Sequence, residues 1–144
     1  MSDPDIGALR AKLLSRPRST DYRQRRKDID ERSLAYGLAS DVKVEKLSAN
    51  GVPAEWTSTP GAARDAAVLY VHGGGYVIGS LDSHRHMVAE LGRAANCVAL
   101  ALDYRLAPEH PFPAAVDDAL AGYRFLLAQG FRPSRIALVG DSAG

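Results

Sequence analysis

The run Gly140-Asp141-Ser142-Ala143-Gly144 follows directly on an apolar, β-branched stretch, Ile136-Ala137-Leu138-Val139. A strand that ends in G-x-S-x-G makes a tight, strained turn that lifts a serine hydroxyl above the sheet edge. The chemistry this offers is nucleophilic attack by Ser142 on a carbonyl carbon. A second group, His72-Gly73-Gly74-Gly75, follows another apolar run, Ala66 to Val71. Three adjacent glycines leave main-chain amides uncovered and open to unusual dihedral angles. Such amides can point at one oxygen and stabilise the charge that develops there during acyl transfer. Either motif alone arises by chance. Two of them, each directly after a strand, point to one acyl-transfer site.

The elements around these motifs must bring them together. From residue 41 the pattern is β, then alternating β and α. Val42, Val44 and Leu47 open an extended stretch, Asn50-Gly51 signals a hairpin turn, and Ala54 to Thr57 returns. Ala66 to Val71 is a third strand, Cys97 to Leu102 a fourth and Arg135 to Gly140 a fifth. A helix is predicted over 82–95, capped by Ser80 or Asp82, with Met87, Leu91 and Ala94 on its apolar face. Another is predicted over 113–129, closed by Gly130, with Val116, Leu120, Tyr123 and Leu127 as its stripe. Two β-α-β units with continuous apolar strands imply an α/β fold: a mostly parallel sheet covered by helices on both faces, with the antiparallel hairpin at one edge.

Residues 1–39 differ from the rest, being polar, charged and helix-prone. Ile6, Leu9, Leu13 and Leu14 follow a helical stripe, and Tyr22, Ile29 and Tyr36 recur every seven residues. Thr20 or Asp21 is placed to cap the second helix. Arg23, Arg25, Arg26 and Lys27 form a basic cluster, which reads as a solvated helix face balanced by Asp28, Asp30 and Glu31.

Bulk properties narrow the function classes. The formal net charge of +1 over 144 residues gives no pull toward nucleic acid or an anionic membrane. The single cysteine, Cys97, lies in an apolar run, which fits a buried thiol and a reducing, cytoplasmic setting. No secretory signal is visible, and no apolar run approaches the length of a membrane span.

Three motifs together carry a family resemblance: His72-Gly73-Gly74-Gly75-Tyr76, the long stretch Asp103-Tyr104-Arg105-Leu106-Ala107-Pro108-Glu109-His110-Pro111-Phe112-Pro113-Ala114-Ala115, and Gly140-Asp141-Ser142-Ala143-Gly144. The chain resembles the hormone-sensitive-lipase-like family of α/β-hydrolases, bacterial esterase branch. The likeness runs from about residue 40 to the end, and residues 1–39 resemble that family's cap segment. The resemblance implies a partial α/β-hydrolase core over 40–144 and a carboxylesterase that acts on a small acyl ester with no cofactor and no metal. It assigns Ser142 as nucleophile and the amides of Gly74, Gly75 and Ala143 to the oxyanion hole, with His72 and Gly73 supporting the loop. Tyr76, beside that loop, is placed either to wall the acyl pocket or to serve as aromatic packing.

In that fold the triad acid and histidine follow the serine in the chain. His72, His84, His86 and His110 all precede it, so none is assigned as base. Asp141 precedes the serine and is expected to point away from it. Arg105 and Glu109 read as structural contacts of the turn, and Asp103 as a residue tying that turn down. The 144 residues thus read as an amino-terminal half, expected to hydrolyse esters poorly or not at all alone; a non-catalytic relative that binds a small molecule in the same pocket, or an inactive truncated product, is the alternative reading. Ile136 and Leu138 are expected to lack cover, which favours a homo-oligomer or a complementary carboxyl-terminal half as partner.

Overall fold

The structure is a computed structural model that describes residues 6–15 and 19–144. Two helices, α1 (Ile6–Leu14) and α2 (Tyr22–Ser33), precede a hairpin of β1 (Lys43–Ala49) and β2 (Val52–Ser58). Then come β3 (Ala63–Val71), α3 (Leu81–Ala94), β4 (Cys97–Leu102), α4 (Ala114–Ala128) and β5 (Ile136–Gly140). The five strands form one sheet in the order β1-β2-β4-β3-β5. The strands expected to be parallel are so: β3 pairs in parallel with β4 on one side and β5 on the other. The hairpin is antiparallel and joins the sheet through β2 and β4. Its turn residues Asn50 and Gly51 both have positive φ, 53° and 94°, as a two-residue hairpin loop of matching twist requires.

Two apolar layers hold the sheet. On one face Leu69, Leu100 and Leu102 meet Leu126 of α4, and on the other Val68, Tyr70 and Ala99 meet Val88 of α3. Every residue of β4 is buried, as befits a strand covered on both sides. The helix faces differ from the predicted stripes. On α3 the buried residues are Val88, Ala89 and Gly92, and Met87 and Ala94 are exposed. Gly92 is the physical reason: a Cβ there would stand 3.1 Å from the Cys97 carbonyl, so the helix closes on β4 at its smallest residue. On α4 the buried face is Ala114, Asp118, Gly122 and Leu126, a regular four-residue step. Val116, Leu120 and Leu127 of the predicted stripe are exposed instead.

Charge fixes α3 as well. Glu55, fully buried on β2, accepts two hydrogen bonds from Arg85, at 2.7 and 2.8 Å. Ser80 is the N-cap, in a reciprocal capping box with Ser83, and its hydroxyl donates to Asp30 of α2. Asp21, rather than Thr20, caps α2 by accepting from the Arg23 amide. The helix ends at Ser33, so Tyr36 of the seven-residue repeat lies beyond it, its ring 5.9 Å from that of His86. Ile6 and Leu14 of α1 are exposed, and the side chains of Leu9 and Leu13 lie outside the described residues. The basic cluster is not uniformly a solvated face, because Arg26 reaches across to the loops after β3 and β4.

Candidate active site

Val71 and Gly140 are the last register partners of β3 and β5. The parallel pairing therefore releases His72-Gly73 and Asp141-Ser142 side by side from the sheet's carboxyl edge. This edge is where open α/β sheets bind ligands. Ser142 has φ 53°, a left-handed conformation that costs a non-glycine residue about 1–3 kcal/mol and recurs at functional turns. Gly140 permits the turn, since a Cβ on it would press against the Gly144 backbone and the Val71 carbonyl. The Gly144 amide closes the turn on the Asp141 carbonyl at 2.8 Å.

Asp141 points toward the glycine loop. Its Oδ1 accepts from the Gly73 amide at 2.7 Å and from the Tyr70 hydroxyl at 2.6 Å, and His84 Nε2 stands 3.5 Å away. Burial works to raise the Asp141 pKa, but the Tyr70 hydroxyl, the Gly73 amide and His84 outweigh it and hold the carboxyl below its ordinary range. Burial, and then Asp141, push the Tyr70 phenol up. One carboxylate thus fastens the elbow to the first amide of the glycine loop.

The loop itself is a closed turn. Gly74 has φ 129°, and a Cβ there would overlap the Ile78 carbonyl. Its carbonyl accepts from the amides of Val77 at 3.2 Å and Ile78 at 3.1 Å. Beneath it His72 is buried, with Nδ1 2.9 Å from the Gly73 carbonyl and its ring stacked between Tyr104 at 4.3 Å and His84 at 5.3 Å. Burial pushes its pKa down, with the Gly73 carbonyl opposing, so the imidazole is neutral at neutral pH. The Tyr104 hydroxyl donates to the His72 carbonyl. His72 thus lies beneath the loop, and the Gly73 amide is held on Asp141.

Two cavities open at this edge. One, of about 150 Å³, is lined by Ala143 with Val71, Tyr104 and Ala119, and the other, of about 380 Å³, by Gly75 with Arg105, His110 and Phe112. Tyr76, Ala115 and Val116 line both, and Tyr76 takes φ 62° to do so. Arg105 holds the turn after β4, through its amide and guanidinium, on buried Asp118. Burial raises the Asp118 pKa, but Arg105 more than offsets it and the carboxyl stays low. Asp103 does not tie that turn down through its carboxyl, which faces acidic neighbours. Burial first, then Asp82, Asp30 and Glu55, raise its pKa, and its amide bonds to the Pro53 carbonyl. Glu109 pairs with Arg26 of α2. No local pattern signals the Arg26 contact, Asp141 as the tether, or Asp118 as the partner of Arg105, because each pairing joins residues that no single motif links. Among the described residues no cluster of His, Cys, Asp or Glu is arranged to hold a metal ion.

The family profile described as the alpha/beta hydrolase fold matches residues 68–144. An acetyl-hydrolase of Streptomyces hygroscopicus is 41% identical over 155 aligned residues, spanning all of this chain and 48% of that protein. An ethyl acetate hydrolase of Pseudomonas putida is 49% identical over 87 residues, 58% of this chain and 27% of that one. A crystal structure of an esterase from the bacterial hormone-sensitive lipase family superposes with a TM-score of 0.89 at 50% identity, covering all of this chain and 50% of the other. An esterase/lipase from an uncultured bacterium superposes at 0.90 with 46% identity, over 99% of this chain and 50% of that one. The chain thus spans about half the length of the acetyl-hydrolase and of both solved esterases. With its sheet order, its two motifs at one edge and these relatives, the chain belongs to the α/β-hydrolase fold family and is similar to an esterase of the bacterial hormone-sensitive lipase family.

Proposed function

We propose that these residues form the nucleophile-bearing part of a carboxylic ester hydrolase acting on a small acyl ester. The observation that carries this reading is the left-handed Ser142 at the end of β5, fastened through Asp141 to the glycine loop at the end of β3. Ser142 Oγ attacks the ester carbonyl and its proton passes to a histidine. The oxyanion that forms accepts hydrogen bonds from the amides of Gly74, Gly75 and Ala143. The tetrahedral adduct expels the alcohol, which takes the proton from the histidine, and water then releases the acid by the same route. The histidine and its carboxylate come from sequence that follows Ser142, since chain order in this fold puts them there.

Residues 1–39 act as a cap segment on a core of 40–144. The exposed apolar residues Val116, Leu120, Leu127 and Leu138 support a complementary carboxyl-terminal half as partner, or a second copy of the chain. Buried Cys97 supports a cytoplasmic setting. The test is hydrolysis of a short nitrophenyl ester by this chain extended with the carboxyl-terminal half of the Streptomyces acetyl-hydrolase. Turnover that falls about a thousandfold or more on Ser142→Ala is the expected result, with near-background rates for the 144 residues alone. Turnover indifferent to Ser142→Ala overturns the reading.

A further inference from the structure

Arg26 is the one residue of α2 whose side chain reaches both loops of the sheet's carboxyl edge, as the hydrogen bonds show. Its Nε donates to the Val77 carbonyl at 2.7 Å. Its Nη2 donates to the Ala107 carbonyl at 3.0 Å, and both Nη atoms bind the Glu109 carboxylate at 3.0 and 2.9 Å. The guanidinium carbon also lies 4.9 Å over the Tyr22 ring. The rigid fork of an arginine can serve two carbonyls and a carboxylate at once in a way a lysine ammonium does not.

The contact with Val77 bears on an amide two residues earlier, that of Gly75. Val77 C=O and Ile78 N–H belong to one planar peptide unit, and the Ile78 amide donates to the Gly74 carbonyl. Gly74 C=O in turn shares a planar trans peptide with the Gly75 N–H, which must point the opposite way. Fixing the Val77 carbonyl therefore fixes the Gly75 amide through two rigid planes and one hydrogen bond. The Ala107 amide, itself beside the Arg26 contact, donates to the Tyr76 carbonyl at 2.8 Å and braces the loop from the other side.

We propose that Arg26 of the amino-terminal helix is a positioning residue that aims the Gly75 amide at the oxyanion, so that docking of α2 sets the competence of the site. This rests on the esterase reading for its catalytic meaning, while the mechanical coupling stands on the hydrogen bonds alone. The test compares Arg26→Gln, Arg26→Lys and Glu109→Gln. Amide hydrogen exchange over residues 74–79 of the 144-residue chain is the first readout and needs no activity. Arg26→Gln and Arg26→Lys are expected to speed exchange at Ile78, whose amide is bonded to the Gly74 carbonyl, about tenfold, and Glu109→Gln, which keeps the Val77 bond, less than about threefold. Equal effects of Glu109→Gln and Arg26→Lys would mean that only the ion pair matters and would overturn the proposal, as would unchanged exchange in Arg26→Gln. In the chimeric esterase, Arg26→Lys is expected to lower kcat about tenfold with KM within about twofold. Faster exchange with unchanged kcat removes the catalytic role, whereas a chimera with no Ser142-dependent turnover condemns the esterase reading and leaves the exchange result to decide the coupling.

Discussion

Asp141 occupies the variable position before the serine, yet its carboxylate links three parts of the site: the elbow, Tyr70 on β3 and the first loop amide. Its pKa is depressed in the folded chain, so its contribution to stability is complete above the unfolded value near pH 4 and is lost as pH falls through the lower folded value. Asp141→Asn is expected to cost about 1–2 kcal/mol at pH 7, the low part of the range for hydrogen bonds to charge because the carboxylate is partly solvated. Thermal melts of both proteins across pH should show that gap closing below about pH 4. A gap that persists at pH 2.5 would show that the tether does not depend on ionisation. Ser142 and the glycine loop were legible in the sequence because each motif is local: a strand, then a few residues whose backbone needs are peculiar. The Asp141–Gly73 and Arg26–Glu109 contacts join residues 68 and 83 positions apart and leave no local pattern to read.

At the level of elements, all five strands and the helices α2, α3 and α4 were readable from periodicity and turn residues, and β4 falls on the predicted span, Cys97–Leu102. The faces of α3 and α4 were not. Sequence periodicity weights large apolar residues, while these helices approach the sheet at Gly92 and at Gly122, where a side chain would block contact. The reassignment of α4 can be checked directly. Leu126→Ala should cost about 2–5 kcal/mol, the loss for a fully buried leucine, and Leu120→Ala less than about 0.5 kcal/mol. Urea unfolding of the two variants measures both. A larger loss for Leu120→Ala would restore the face read from the sequence.

The whole molecule presents one uneven side. Sheet order puts β5 at an edge, with Leu138 68% exposed and Val116 and Leu120 of α4 each 46% exposed. Ile136, expected to be uncovered too, packs against the core, so the bare region begins farther along β5 than the sequence suggested. Each large apolar side chain left in water forgoes about 1.5–3 kcal/mol, and a free strand edge is a template for pairing. The 144 residues alone are therefore expected to self-associate. Light scattering should show larger species, reduced in Leu138→Lys, which places a charge on the edge strand. A monodisperse monomer in both forms would argue against it.

The strand order also has a bearing on synthesis. The hairpin β1-β2 forms from neighbouring residues, but it joins the sheet only through β4, and β3 has β5 as its outer neighbour. A chain emerging from the ribosome can assemble four strands once residue 102 is free, whereas Gly73 waits 68 positions for the carboxylate that fastens it. Stalled nascent chains ending beyond residue 102 but before β5 should accordingly be cut by chymotrypsin at Tyr76, and chains whose Asp141 has cleared the exit tunnel should resist. The glycine loop is thus among the last parts of this region to become fixed, so a chain stopped before β5 carries four strands with that loop still untethered.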